Sequence, residues 1–154
     1  MGGLSKEQVW QLGQYGEMGF GGQNQTINVT QNDWAVVTNN TSDLWAVGAG
    51  QLNGITYSND SLVIGEDGKY KCNAQLSLDG SNGSIIRLGV YVNGSLACLC
   101  TGYQELTNNQ IVQLSYVDIF MLSANDVIQV VITDTTGNST PAAIAGKIAL
   151  HRVG

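Results

Sequence analysis

From Ser61 to Val153 the chain offers seven consecutive stretches that read as β-strand, and no stretch of helical period separates them. They are Ser61 to Ile64, Gly68 to Leu78, Ser84 to Asn93, Leu96 to Thr101, Gln110 to Leu122, Asp126 to Asp134 and Ala143 to Val153. A helix would have to appear between strands to build a parallel sheet, so alternating α/β architectures are excluded. Alternation is clear in two of the stretches. Tyr70, Cys72, Ala74, Leu76 and Leu78 oppose Lys71, Asn73, Gln75 and Ser77, and Ile86, Leu88, Val90 and Val92 oppose Arg87 and Tyr91. Each strand therefore turns one face to a shared core. Asn93-Gly94 sets a type I′ hairpin, and Pro141, the sole proline, falls outside every strand.

Two stretches break the one-sided pattern. In Gln110 to Leu122, Val112, Leu114, Tyr116, Phe120 and Leu122 form one face, yet Ile111, Val117, Ile119 and Met121 make the other apolar too. In Val127 to Thr133, Val130 and Ile132 oppose Val127 and Val131. A two-layer sandwich covers one face of each sheet. With no helix to supply a third layer, a subunit interface is expected, with Ile111, Tyr116, Val117, Ile119, Met121, Val130 and Ile132 in it.

Ahead of the strands the pattern differs. Ser5 and Gln8 form a capping box flanked by Leu4 and Val9 at hydrophobic-staple positions, which predicts a helix over Lys6 to Leu12 that ends at Gly13. Gly13, Gly16, Gly19, Gly21 and Gly22 then favour a flexible continuation, with Trp10, Tyr15, Met18 and Phe20 set among them. Residues 1–23 are thus expected to form an anchoring arm and residues 24–154 the sandwich. The arm either folds back on its own domain or docks on another protein through Leu4, Val9, Trp10, Tyr15, Met18 and Phe20; the glycine spacing favours docking. From Asn39 to Asp60 turn formers dominate, and only Leu44 to Val47 reads as strand.

Chemistry is sparse. Charged residues make up 12% of the chain against about 25% in an ordinary domain, and 14 Asn, 12 Gln, 11 Ser and 11 Thr take their place. Eight Asn-x-Ser/Thr matches follow from that composition alone. A net charge of −6 with four Lys and two Arg argues against nucleic acid as a ligand. No apolar run approaches membrane-spanning length, and Met1-Gly2-Gly3-Leu4 lacks the features of a signal peptide, so synthesis and release in the cytosol without membrane association are expected. Cys72, Cys98 and Cys100 sit in apolar runs, and with His151 as the only histidine a zinc site is not expected. Neither a cofactor nor a metal is implied. Nucleophile elbow, phosphate loop and dinucleotide fingerprint are all missing, and Glu66-Asp67 before Gly68 reads as a turn. The chain is expected not to be an enzyme.

Gly68-Lys69-Tyr70, Val90-Tyr91-Val92-Asn93-Gly94, Leu122-Ser123-Ala124-Asn125-Asp126-Val127 and Ala145-Gly146-Lys147-Ile148-Ala149-Leu150 resemble, in that order, the jelly-roll superfamily of tumour necrosis factor and the complement globular heads. That family usually places Gly where Asn125 stands, and an aromatic residue ahead of Gly146. The resemblance implies an all-β jelly-roll sandwich that assembles as a homotrimer around an apolar axis. A small amide-rich chain of this kind with a short N-terminal helical or extended arm is similar in plan to the decoration (cement) proteins of bacteriophage and viral capsids. The expected role is that of a virion structural protein on the capsid surface, partnered by the major capsid protein. The alternative is the receptor-binding tip of a phage tail fibre or head fibre, with Tyr103 in the Thr101 to Asn109 loop meeting a host surface glycan or protein.

Overall fold

The computed structural model describes residues 13–39, 41–80, 82–97, 103–108 and 110–154. Among them there are no helices, and thirteen strands fall into two antiparallel sheets. The long strands are β7 (Gly68–Asp79), β8 (Ile85–Val92), β11 (Val112–Leu122), β12 (Val127–Asp134) and β13 (Ala142–Arg152). Shorter ones are β1 (Tyr15–Phe20), β2 (Gln25–Thr26), β3 (Ala35–Val36), β4 (Leu52–Asn53), β5 (Ile55–Ser58), β6 (Ser61–Ile64), β9 (Ser95–Leu96) and β10 (Tyr103–Glu105). The first sheet runs β11-β7-β13-β1-β4, with β2 also on β13. The second runs β10-β8-β12-β6-β5, with β3 on β12 and β9 on β8.

The chain crosses from one sheet to the other between β7 and β8, and again between β12 and β13, which is how a jelly roll closes two sheets on one core. The inward rows predicted from alternation meet there. Tyr70, Cys72, Ala74, Leu76 and Leu78 of β7 face Ile86, Leu88 and Val90 of β8 and Ile128, Val130 and Ile132 of β12, all buried. Asn93 and Gly94 both take positive φ, 53° and 81°, and join β8 to β9 as the hairpin signal requires. Asn125 has φ 73°. This explains its place before Asp126: asparagine is the side chain that best tolerates a conformation glycine normally fills.

Three local expectations are corrected. The glycine-rich segment is a strand, not a flexible arm: Tyr15 to Phe20 pairs along its whole length with β13, from Tyr15 opposite His151 to Phe20 opposite Gly146. Its glycines serve close approach. A Cβ on Gly16 would stand 2.5 Å from Ile55 Cγ2, and one on Gly19 3.0 Å from the Gly146 carbonyl oxygen. The sandwich therefore begins ahead of residue 24.

The second correction concerns Leu44 to Val47, which forms no strand beyond a single bridge of Ala46 to Gly19. The backbone amides of Leu44 and Trp45 donate to Asp60 Oδ1 at 2.9 and 2.8 Å, and the Thr38 hydroxyl donates to Oδ2 at 2.6 Å. A buried carboxylate thus takes the amides that a neighbouring strand would otherwise have used. The strands of this region are β4 and β5 instead. Tyr57, whose hydroxyl donates to the Trp45 carbonyl at 2.8 Å, has its pKa pushed up to about 12, chiefly by burial. Third, Tyr103 lies not in a loop but in β10, an edge strand on β8. The helix expected over Lys6 to Leu12, together with Leu4, Val9 and Trp10, lies outside the described residues, as do Cys98 and Cys100.

Candidate assembly face

The expected interface residues divide between two strands. In β12, Val130 and Ile132 are fully buried in the sandwich core, and so is Val131 on the opposite side. Trp34 and Leu96 lie over Gly89, the register partner of Val131, so this second apolar face is covered from within the chain. Tyr116 is likewise turned inward, 5% exposed, stacked on Phe120 with ring centroids 6.3 Å apart. Its hydroxyl donates to Asp118 Oδ2 at 3.0 Å. Tyr116, Val130 and Ile132 therefore belong to the core and not to an outer face.

The outer row of β11 is different. Val117, Ile119 and Met121 are 60%, 55% and 76% exposed, and Ile111 just before the strand is exposed as well. These are consecutive outward positions on an edge strand, so they form one ridge.

Beside the ridge the outer face of the sheet is polar. Ile119 pairs with Lys71, Lys71 with His151, and His151 with Tyr15; one row along, Val117, Asn73, Ala149 and Glu17 line up in the same way. Three of the chain's four lysines, Lys69, Lys71 and Lys147, stand on this face. Lys147 Nζ pairs with Glu17 Oε1 at 3.1 Å, and the Gln51 side-chain amide donates to the same oxygen at 2.9 Å. That contact, with the Tyr15 hydroxyl donating to the Gly50 carbonyl, ties the 46–51 segment over the far side of the sheet. Two shallow recesses flank the Glu17–Lys147 pair, one of about 470 Å³ toward Gln51 and one of about 250 Å³ toward Asn73.

The anchoring residues that are described have partners inside the domain. Met18 is fully buried, and Phe20 meets Trp45 edge to face at 4.8 Å and 84°. Of the two readings of this segment, folding back on its own domain holds for residues 13–20. Cys72 is buried, and burial, with Asp118 nearby, raises its thiol to about 12, so it packs as an inert apolar group.

Sequence reasoning missed a cluster on the second sheet. Arg87 lies between the rings of Trp34 and Tyr103. The available signal was Gly89 inside an otherwise bulky strand, because a strand glycine marks a close approach.

No family model matches the sequence, and no curated protein matches it. Solved structures do. The chain is similar to Eiger TNF from S. frugiperda at a TM-score of 0.61 and 13% identity, covering 92% of this chain and 94% of that one. It is also similar to murine APRIL at a TM-score of 0.57 and 12% identity, over 90% of this chain and 99% of that one. The fold is a TNF-like jelly roll. At such identities the likeness extends to architecture alone, and the ridge and the stack are read from this chain's own residues.

Proposed function

We propose that this chain is a non-enzymatic virion structural protein: a homotrimeric capsid decoration (cement) protein, made in the host cytoplasm and carried on the capsid surface. The observation that carries the reading is the ridge of Val117, Ile119 and Met121 left exposed on an edge strand. Burying such a side chain contributes about 1.5–3 kcal/mol, so three on one ridge are a strong incentive to associate. Ile111 extends it.

Charge favours a second copy as the occupant. Lys69, Lys71 and Lys147 share one face of a chain whose net charge is −6, so the remaining surface of another copy complements that face. Contact between unlike surfaces is heterologous, and a heterologous contact that closes gives a ring, of which a trimer is the smallest, since a closed pair is isologous. The TNF-like fold supports the same count through the resemblance described above. Because Tyr15–Phe20 are built into the sheet, anchoring to the major capsid protein falls to residues 1–12, with Leu4, Val9 and Trp10 as the apolar contacts.

The test has two parts. Sedimentation equilibrium of the full chain should give three times the monomer mass, and Ile119→Asp combined with Met121→Asp should give monomer. Deleting residues 1–12 should leave trimers intact while abolishing co-sedimentation with undecorated capsids. A stable wild-type monomer at micromolar concentration would overturn the assembly, and capsid binding that survives the deletion would overturn the anchor.

A further inference from the structure

The second sheet carries a different kind of surface on the side turned away from the core. Tyr103 of β10, Arg87 of β8 and Trp34, just before β3, are layered one on another. Arg87 Cζ is 5.0 Å from the Tyr103 ring centroid and 5.6 Å from that of Trp34. Gly89 makes room for this arrangement, since a Cβ there would come 2.8 Å from the Trp34 ring. The guanidinium holds both rings by cation–π attraction. Tyr103 nevertheless remains 64% exposed, so an aromatic face is fixed on its inner side and open on its outer side.

A carboxylate completes the surface. Glu105 lies two residues along β10, on the same side as Tyr103 and about 7 Å away; its backbone is paired with Ile85, and its exposed carboxylate has no hydrogen bond or ion pair among the described residues. The outer face of the ridge-bearing sheet uses none of these groups.

We propose that Tyr103, with Arg87 behind it and Glu105 beside it, is a carbohydrate-binding surface for a neutral pyranose ring. The ring's C–H face lies on Tyr103, and its hydroxyls donate to the Glu105 carboxylate. The chemistry selects this ligand in three ways. A flat aromatic face with one polar acceptor suits a group that is apolar on its face and rich in O–H donors at its rim. The Glu105 charge repels acidic sugars and acidic peptides. A peptide anchor would need a pocket that closes around its side chain, and an open ring on an edge strand does not provide one. Because Arg87 has already fixed the Tyr103 ring, little side-chain freedom is lost on binding. The surface stands on the other sheet, on an edge strand that neighbours β11, and it uses none of the ridge's residues.

The full chain should be passed over immobilised neutral oligosaccharides of glucose, galactose and N-acetylglucosamine, with a sialylated series alongside. At least one neutral series should be retained and the sialylated series should not. Tyr103→Phe should bind within a few-fold of wild type, whereas Tyr103→Ala should lose about tenfold or more in Kd, the equivalent of about 1.4 kcal/mol. Glu105→Gln should weaken binding, and all three variants should keep the wild-type sedimentation coefficient, which separates this surface from the assembly face. Failure to retain any neutral series, equal binding by Tyr103→Ala, or preference for the sialylated series would overturn the proposal.

Discussion

β11 and β12 look alike in sequence and end differently in the fold. Both put apolar side chains on both faces. β12 lies in the middle of its sheet, and its outward Val131 is sealed by the chain's own Trp34 and Leu96 region. β11 is an edge strand, and its outward Val117, Ile119 and Met121 face solvent. A doubly apolar strand therefore states only that two covers are needed. Whether the second cover comes from the same chain or from another molecule depends on where the strand sits, because a central strand is reached by its own connecting segments and an edge strand is not.

The sharpest way to break the comparison is to place one charge on each outer face. Val131→Asp buries an unpaired carboxylate and should cost more than about 4 kcal/mol, so that urea denaturation finds little or no folded protein. A well-folded Val131→Asp variant would show that the inner cover is loose. Trp34→Ala uncovers the same side more gently, and with Trp34 only half-buried a loss of about 2 kcal/mol in unfolding free energy is expected from urea denaturation.

The end of β12 gives a smaller, pH-dependent effect. Burial would raise the carboxyl of Asp134, but hydrogen bonds outweigh burial and hold it below its ordinary value; they include the Thr136 amide at 2.8 Å and the Thr136 hydroxyl at 2.5 Å. A pKa depressed in the folded state contributes stability that is present above the unfolded value, about 3.9, and is lost as pH falls through the folded value. Asp134→Asn should therefore destabilise by about 1 kcal/mol at pH 7, and the gap to wild type should narrow below pH 4. A gap that stays constant down to pH 2 would count against this account. The smallest folding effect belongs to the exposed ridge: Ile119→Asp should change the unfolding free energy of the monomer by no more than about 0.5 kcal/mol, while lowering the sedimentation coefficient of the native protein. A large loss of monomer stability would mean that the ridge is covered from within, as β12 is.

Much of the fold was legible because its signals are local. Tyr70 through Leu78 and Ile86 through Val92 show their faces by alternation, and Asn93-Gly94 shows its turn by the φ values those two residues accept. The strand Tyr15 to Phe20 was hidden for the opposite reason. Its glycines look like freedom in a linear reading and prove to be clearance, for Ile55 against Gly16 and for the Gly146 backbone against Gly19. The ridge is half legible: Val117, Ile119 and Met121 share doubly apolar strands with Tyr116, Val130 and Ile132, and only burial separates the two groups. In the order of residues only Gly89 hints at the Trp34, Arg87 and Tyr103 stack, whose members come from three separated segments.

Taken alone, the order of residues determined the class of the fold, the inward row of each long strand and the tightest turn, since side-chain direction in a strand follows from position along it. Only the tertiary structure decided which apolar faces were already covered. Cover is a matter of which distant segment lies opposite, and that distance in sequence carries no period that a linear reading could detect.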